Sequence, residues 1–145
     1  MSTRRSSATD PGAALIAALA ERDFGRLAGT LTPEARMRAL IPPGLIELTG
    51  AEDAAAKFSA WFGDAEEFEL MRSGSDAVAD RLHVFYRLRV KKPGNVPRIV
   101  EQHLLCVLDA DRIDSLDLVC TGFRPDAVAE SSTTRSWLSI GSKSR

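Results

Sequence analysis

The chain has 145 residues, 44% of them apolar and 27% charged, the size and balance of one globular domain with a sizeable core. Nineteen Lys+Arg against twenty Asp+Glu leave a formal net charge of −1, which argues against a dedicated nucleic-acid binder with its basic excess. Two cysteines cannot build a disulfide-rich scaffold, and no apolar run approaches the ~20 residues that a membrane-crossing helix needs.

Residues 1–9 are polar and include Arg4 and Arg5; an Ala-rich stretch from Gly12 to Ala20 follows. Basic start and short apolar run imitate a secretory leader. Asp10-Pro11 gives the competing reading, an N-cap carboxylate followed by a residue already set at helical φ. Leu15, Ala18 and Leu19 then share one face of a core-facing helix over 11–22, and the expected location is cytoplasmic. Free cysteines fit that location. Asp23 can cap a second short helix carrying Phe24, Leu27, Ala28 and Leu31, which Thr32-Pro33 stops. Residues 36–41 read as a short strand ended by Pro42-Pro43-Gly44.

Thr49 and Glu52 match a capping box. Ala54, Phe58, Trp61 and Phe62 follow at i, i+4, i+7 and i+8, the strongest amphipathic helix in the chain, with Gly63 as its stop. The period then changes to two. Residues 67–72, 81–91, 98–108 and 112–122 read as strands, separated by a turn or bulge at 73–76, a turn at Pro93-Gly94-Asn95 and a tight turn at 109–111. The expected organisation is an arm at 1–10, a domain at 11–125 and a Ser/Thr-rich tail at 126–145. Helices followed by a meander of strands indicate an α+β fold, helices packed on one face of a curved, largely antiparallel sheet.

This pattern resembles the nuclear-transport-factor-2-like superfamily and, within it, the SnoaL-like branch. The carrying features are the helical pair from Ala14-Leu15 to Leu31, the short strand at 36–41, the helix ending in Trp61-Phe62, and the closing hairpin from Val100-Glu101-Gln102-His103 through Asp111-Arg112-Ile113 to Leu118. The resemblance implies a cone, in which a mixed or antiparallel sheet (cystatin-like) wraps around the N-terminal helices and encloses a pocket. It also implies a homodimer. Members include ketosteroid-isomerase-like enzymes, polyketide cyclases, epoxide hydrolases, dehydratases and non-catalytic binding modules.

Pairing 81–91 with 98–108 through the Pro-Gly-Asn turn sets Arg87 opposite Glu101 and Phe85 opposite His103. A two-residue turn at Ala110-Asp111 would bring Leu116, Leu118 and Cys120 to the same face, leaving Asp117 and Val119 on the other. Apolar walls with a few convergent polar groups are what a ligand pocket needs. Glu101 or His103 would be a general base, and Arg87 would polarise an oxygen or hold an anion. Alternatively Arg87 and Glu101 are a cross-strand ion pair worth about 0.2–1 kcal/mol, and the histidines lie at a dimer interface.

Arg38 stands near the place where isomerase-like relatives carry a catalytic Asp. It could bind a substrate oxygen or pair with a surface acid. No Asp or Glu occurs at 36–41, so the steroid-isomerase constellation is not supported. Trp61 and Phe62 could cap a pocket mouth or simply pack the core. Cys120 is either a reactive thiol or a small buried hydrophobe. Two histidines without HxH or HxxxH spacing give no metal site, and no cofactor is implied. The basic residues around the 81–98 hairpin read as a solvated strand end. The leading expectation is a cofactor-independent pocket protein for a small apolar or carbonyl-containing ligand, with proton transfer (isomerisation, cyclisation or dehydration) as the natural reaction class. The alternative is a non-catalytic dimeric ligand- or partner-binding module. Neither nucleic acid nor membrane is an expected partner.

Overall fold

The computed structural model describes residues 10–126. Asp10 starts α1 (Pro11–Ala20), its carboxylate accepting from the Gly12 and Ala13 amides. Asp23 does the same for α2 (Phe24–Gly29) through the Arg26 amide. Leu15, Ala18, Leu19 and Leu27 are fully buried, as the apolar spacing requires. The chain then runs through β1 (Leu31–Ile41), β2 (Gly44–Thr49), α3 (Ala51–Phe62), β3 (Glu67–Val78), β4 (Arg81–Lys91), β5 (Arg98–Asp109), β6 (Arg112–Cys120) and the short β7 (Arg124–Pro125).

The strands form one mixed sheet in the order β2-β1-β6-β5-β4-β3, with β7 added against β5. Among the described residues, only the β1–β6 pair is parallel. All three helices lie on one face: α1 against β3 and β4, α3 against β1 and β2, and α2 in contact with both helices. The core is the layer between them, where Phe58, Phe62, Tyr86, Met37, Leu88, Leu104 and Leu116 are buried. This is an α+β cone with an unclosed sheet.

Several sequence expectations are corrected. β1 begins at Leu31, not Arg36, and Leu31 is a buried strand residue rather than part of α2. A register shift between Leu31 and Arg36 spans Pro33, which has no N–H to give a ladder. Pro42-Pro43 is not an end but a two-residue hairpin into β2, with Leu40 opposite Leu45. Thr49 makes no capping box, because it is paired with Arg36 in the sheet; Gly50 takes the N-cap position without a side-chain bond. The 73–76 stretch is not a turn. It lies within β3, whose irregularity is at Met71.

The most consequential correction concerns β6. Its pairing with β5 shifts between Val107 and Leu108, leaving Asp114 as an extra residue. The Ala110-Asp111 turn is as expected, but the bulge inverts the faces beyond it. Leu116, Leu118 and Cys120 oppose Cys106, Leu104 and Gln102 on the helix-covered face, and Asp117 and Val119 oppose Leu105 and His103 on the other. Of the expected N-terminal arm and C-terminal tail, only Asp10 and Asp126 fall among the described residues. Asp126 is nearly buried and accepts from Arg89 Nε at 2.9 Å. No helix among the described residues is long and apolar enough to cross a membrane.

Candidate functional site

The sheet has two faces, and the residues singled out from the sequence divide between them. On the inner face, a hollow of about 250 Å³ lies between the C-terminal end of α3 and strands β5 and β6. Trp61 and Phe62 form its helix side, Pro42 and Pro43 its rim, and Val100, Cys120 and Phe123 its sheet side. Trp61 stands edge-on to Phe58 with ring centres 5.4 Å apart, and Phe62 contacts Phe123 at 6.2 Å. Gly122, at φ +80°, sits against Pro42, whose Cγ would be 2.6 Å from an added Cβ; a side chain here would be both strained and in collision. Arg22 holds the α3 end in place by donating to the Phe62 and Ala65 carbonyls at 3.2 and 2.9 Å.

Among the described residues, one buried polar side chain belongs to this hollow, and sequence reasoning passed over it. Gln102 is 1% exposed. Its Oε1 accepts from the Tyr86 hydroxyl at 2.5 Å, and its Nε2 donates to Cys120 Sγ at 3.3 Å. The Gly122 amide also donates to that sulfur at 3.3 Å. Burial raises the Tyr86 phenol well above its usual range, with the two cysteines adding to the effect, so it stays protonated and donates. The signal was available: an amide at an inward position among Val100, Leu104 and Cys106 is a buried polar group, the informative kind of exception. Cys106 lies in the same layer, its thiol pushed up to about 12 by burial first and by Asp117 second, which makes it inert.

The outer face carries the other group. Glu101, His103, Arg87 and Phe85 meet there in the register read from the sequence, Arg87 opposite Glu101 and Phe85 opposite His103. Arg87 Nε donates to Glu101 Oε1 at 2.8 Å, and His103 Nε2 lies 2.7 Å from Glu101 Oε2. Both carboxylate oxygens are therefore engaged. The His103 hydrogen bond first, and the Arg87 bond second, hold the Glu101 carboxyl below its ordinary range. A general base needs the opposite adjustment. The chain continues from His103 Nδ1 to His83 Nε2 at 3.0 Å, and from His83 Nδ1 to Asp76 at 3.0 Å. His83 shares the face expected from the sequence, but Asp76 had no part in that site, because 73–76 read as a turn or bulge.

Beside Glu101 an outer hollow of about 340 Å³ is lined by Met71, Arg87, Ile99 and Arg124. Arg38 joins neither place. It donates to Asp117 at 2.9 Å on the exposed sheet surface, the surface-acid alternative. Leu118 is buried in the core and does not line the inner hollow. Among the described residues, no group of three or more His, Cys, Asp or Glu could hold a metal ion.

No protein-family model matches the sequence, and no curated protein matches it. Solved structures do. A protein of ketosteroid-isomerase-like fold from Catenulispora acidiphila, in complex with trimethylamine, is similar at TM-score 0.61 and 15% identity, over 73% of this chain and 81% of that one. A cystatin-fold protein from Novosphingobium aromaticivorans gives TM-score 0.58 at 13% identity, over 74% and 93%. A phenazine biosynthesis-related protein from Pseudomonas aeruginosa gives 0.54 at 12%, over 77% and 79%. The fold is the nuclear-transport-factor-2-like cone. At these identities the likeness establishes the fold alone, and function has to be argued from this chain's own side chains.

Glu101 allows a direct test on the outer face. A carboxyl with a depressed folded pKa stabilises the fold above its unfolded range and loses that contribution as pH falls through the folded value. The urea midpoint of Glu101→Gln is expected to lie below that of the parent by the equivalent of about 0.5–1 kcal/mol at about pH 6, allowing for partial solvent screening. The gap should narrow as the pH is lowered toward about 3. An equal gap at both pH values would mean that the carboxylate charge is not what the pair contributes.

Proposed function

We propose that this protein is a small-molecule-binding module whose ligand sits in the inner hollow. The observation that carries the reading is the lining: among the described residues, apolar and aromatic walls with the single buried amide of Gln102, and no ionised side chain. Such a site takes a neutral, mostly apolar molecule with one carbonyl or hydroxyl to meet the amide. At about 250 Å³ the hollow falls just short of the about 300–1,000 Å³ of sites for drug-sized ligands, so the ligand is a single-ring or short-chain compound. Proton transfer would need a carboxylate or imidazole within reach of the ligand. None lines this hollow among the described residues, and Glu101 and His103 are on the far side of the sheet. Binding without catalysis is therefore the reading the geometry favours.

The outer face suits a second copy of the chain. Leu45, Leu40 and Val119 follow one another across β2, β1 and β6 in register with His103 and Phe85, and these three apolar side chains are 58%, 52% and 55% exposed. Alongside runs the alternating row Glu47, Arg38, Asp117. A twofold-related copy would cover the apolar row and oppose charges of both signs.

Cyclohexanone and cyclohexanecarboxylate differ little in size but differ in charge, and Trp61 is a fluorescent wall of the hollow. The ketone is expected to change Trp61 emission saturably in a Trp137→Phe background, with little response to the carboxylate. Cys120→Phe, which narrows the hollow without adding a tryptophan, should sharply weaken the ketone response while far-ultraviolet circular dichroism is unchanged. Equal response to both compounds, or an undiminished response in folded Cys120→Phe, would remove the hollow as the binding site.

A further inference from the structure

The hydrogen-bond chain on the outer face counts its own protons. Ionised Asp76 can only accept, so His83 Nδ1 must carry a hydrogen. Ionised Glu101 can only accept, so His103 Nε2 must carry another. The two remaining nitrogens, His83 Nε2 and His103 Nδ1, face each other at 3.0 Å, and a hydrogen bond between them needs a third hydrogen. Two neutral imidazoles bring only two. Without the third, two lone pairs oppose each other or one carboxylate loses its donor.

The ring geometry says what fits between the rings. Their planes are 9° apart and their centres are separated by 5.2 Å, about the 3.0 Å gap plus the two ring radii. The nitrogens therefore point straight at each other along one line. A metal ion at about 2.0–2.1 Å from each nitrogen would need the two directions to converge at an angle instead. A shared hydrogen fits this line and a metal ion does not.

We propose that His83 and His103 form a proton-sharing pair, and that uptake of its proton favours self-association through the outer face. This rests on the reading of that face as the contact with a second copy. With the shared proton in place, the chain Asp76–His83–His103–Glu101–Arg87 is neutral, the two carboxylates matched by Arg87 and the proton, and every link is made. Without it, the chain carries a net negative charge and a broken link. Covering a neutral, fully bonded network costs far less than covering a charged and unsatisfied one. The other charged groups facing the pair do not replace the proton. Arg72 lies over the Phe85 ring, Asp117 is held by Arg38, and Arg81 contributes at longer range to Asp117. His83 and His103 keep 28% and 45% of their side-chain surface, so protons reach the pair in the free chain.

Twofold symmetry gives two pairs per dimer, hence two protons taken up on association. The association constant, measured by sedimentation from about pH 5.5 to about pH 8.5, is expected to fall with rising pH by up to about 100-fold per unit at its steepest. His83→Gln replaces one imidazole by a side chain that does not titrate, so no proton is shared between two rings. That variant should associate with little pH dependence. Nitrogen-15 spectra of the wild-type rings report the pair separately from the assembly: the proposal expects the two rings to titrate together, with protonated His83 Nδ1 and His103 Nε2. Rings that titrate independently, or the same pH slope in His83→Gln, would overturn it. A chain that stays monomeric throughout overturns the reading of the face and with it the coupling, whereas a dimer with no pH dependence overturns the coupling alone.

Discussion

Phe58→Ala is expected to lower the unfolding free energy by about 3–5 kcal/mol. Phe58 lies on α3 and is fully buried, facing the sheet within the core cluster and edge-on to Trp61. Truncation removes its transfer free energy and leaves a void that α3 cannot easily close, because both helix ends are fixed. At one end Gly50 donates to Ala35 of β1 at 2.7 Å, and at the other Arg22 donates to the last carbonyls. Against a total of about 5–15 kcal/mol for a domain, this is a large fraction. Urea unfolding should show a lower midpoint with an unchanged slope. Phe58→Leu, which keeps much of the volume, should recover most of the loss. A loss below about 1 kcal/mol for Phe58→Ala would mean that the site collapses around the void or that α3 is not part of the cooperative core.

The helical half of the molecule was legible because its signals are local. Asp10 and Asp23 cap helices by their own side chains, and the Ala54, Phe58, Phe62 stripe needs only the 3.6 period. The β4–β5 register was legible too, since two long alternating strands and one turn leave few ways to pair. What failed depends on partners distant in sequence. Thr49 looks like a cap until β1 is known to lie beside it. Pro42-Pro43 looks like an end until Leu45 is seen opposite Leu40. Asp114 carries no mark of being the extra residue, yet its bulge moves Cys120 to the ligand hollow and Val119 to the outer face. The candidate site consequently read as one place where the fold makes two. Trp61, Phe62 and Cys120 went with the inner hollow, and Phe85, Arg87, Glu101 and His103 with the outer relay.

That division makes sense of the charge distribution. The outer relay uses its acids and bases on one another, and the inner layer excludes ionised groups. A neutral ligand fits the second environment for the same reason that a carboxylate would not, since an unpaired charge there would have to give up its hydration.

The polar centre of the hollow provides the second large effect. Gln102→Leu strips the acceptor from the buried Tyr86 hydroxyl, and Tyr86→Phe strips the donor from the Gln102 carbonyl. Each single change is expected to cost about 1–3 kcal/mol, because a buried polar group left alone loses its full hydration with nothing in return. Removing both partners together leaves no such group between them. The double variant should therefore cost clearly less than the two single losses combined, with a coupling of about 0.5–3 kcal/mol in the urea-unfolding cycle. Simple additivity would show that the two groups do not depend on each other. If the double variant approaches the parent in stability but no longer answers cyclohexanone, the amide is retained for the ligand rather than for the fold. If it binds the ketone as the parent does, Gln102 is a core residue and the hollow recognises shape alone.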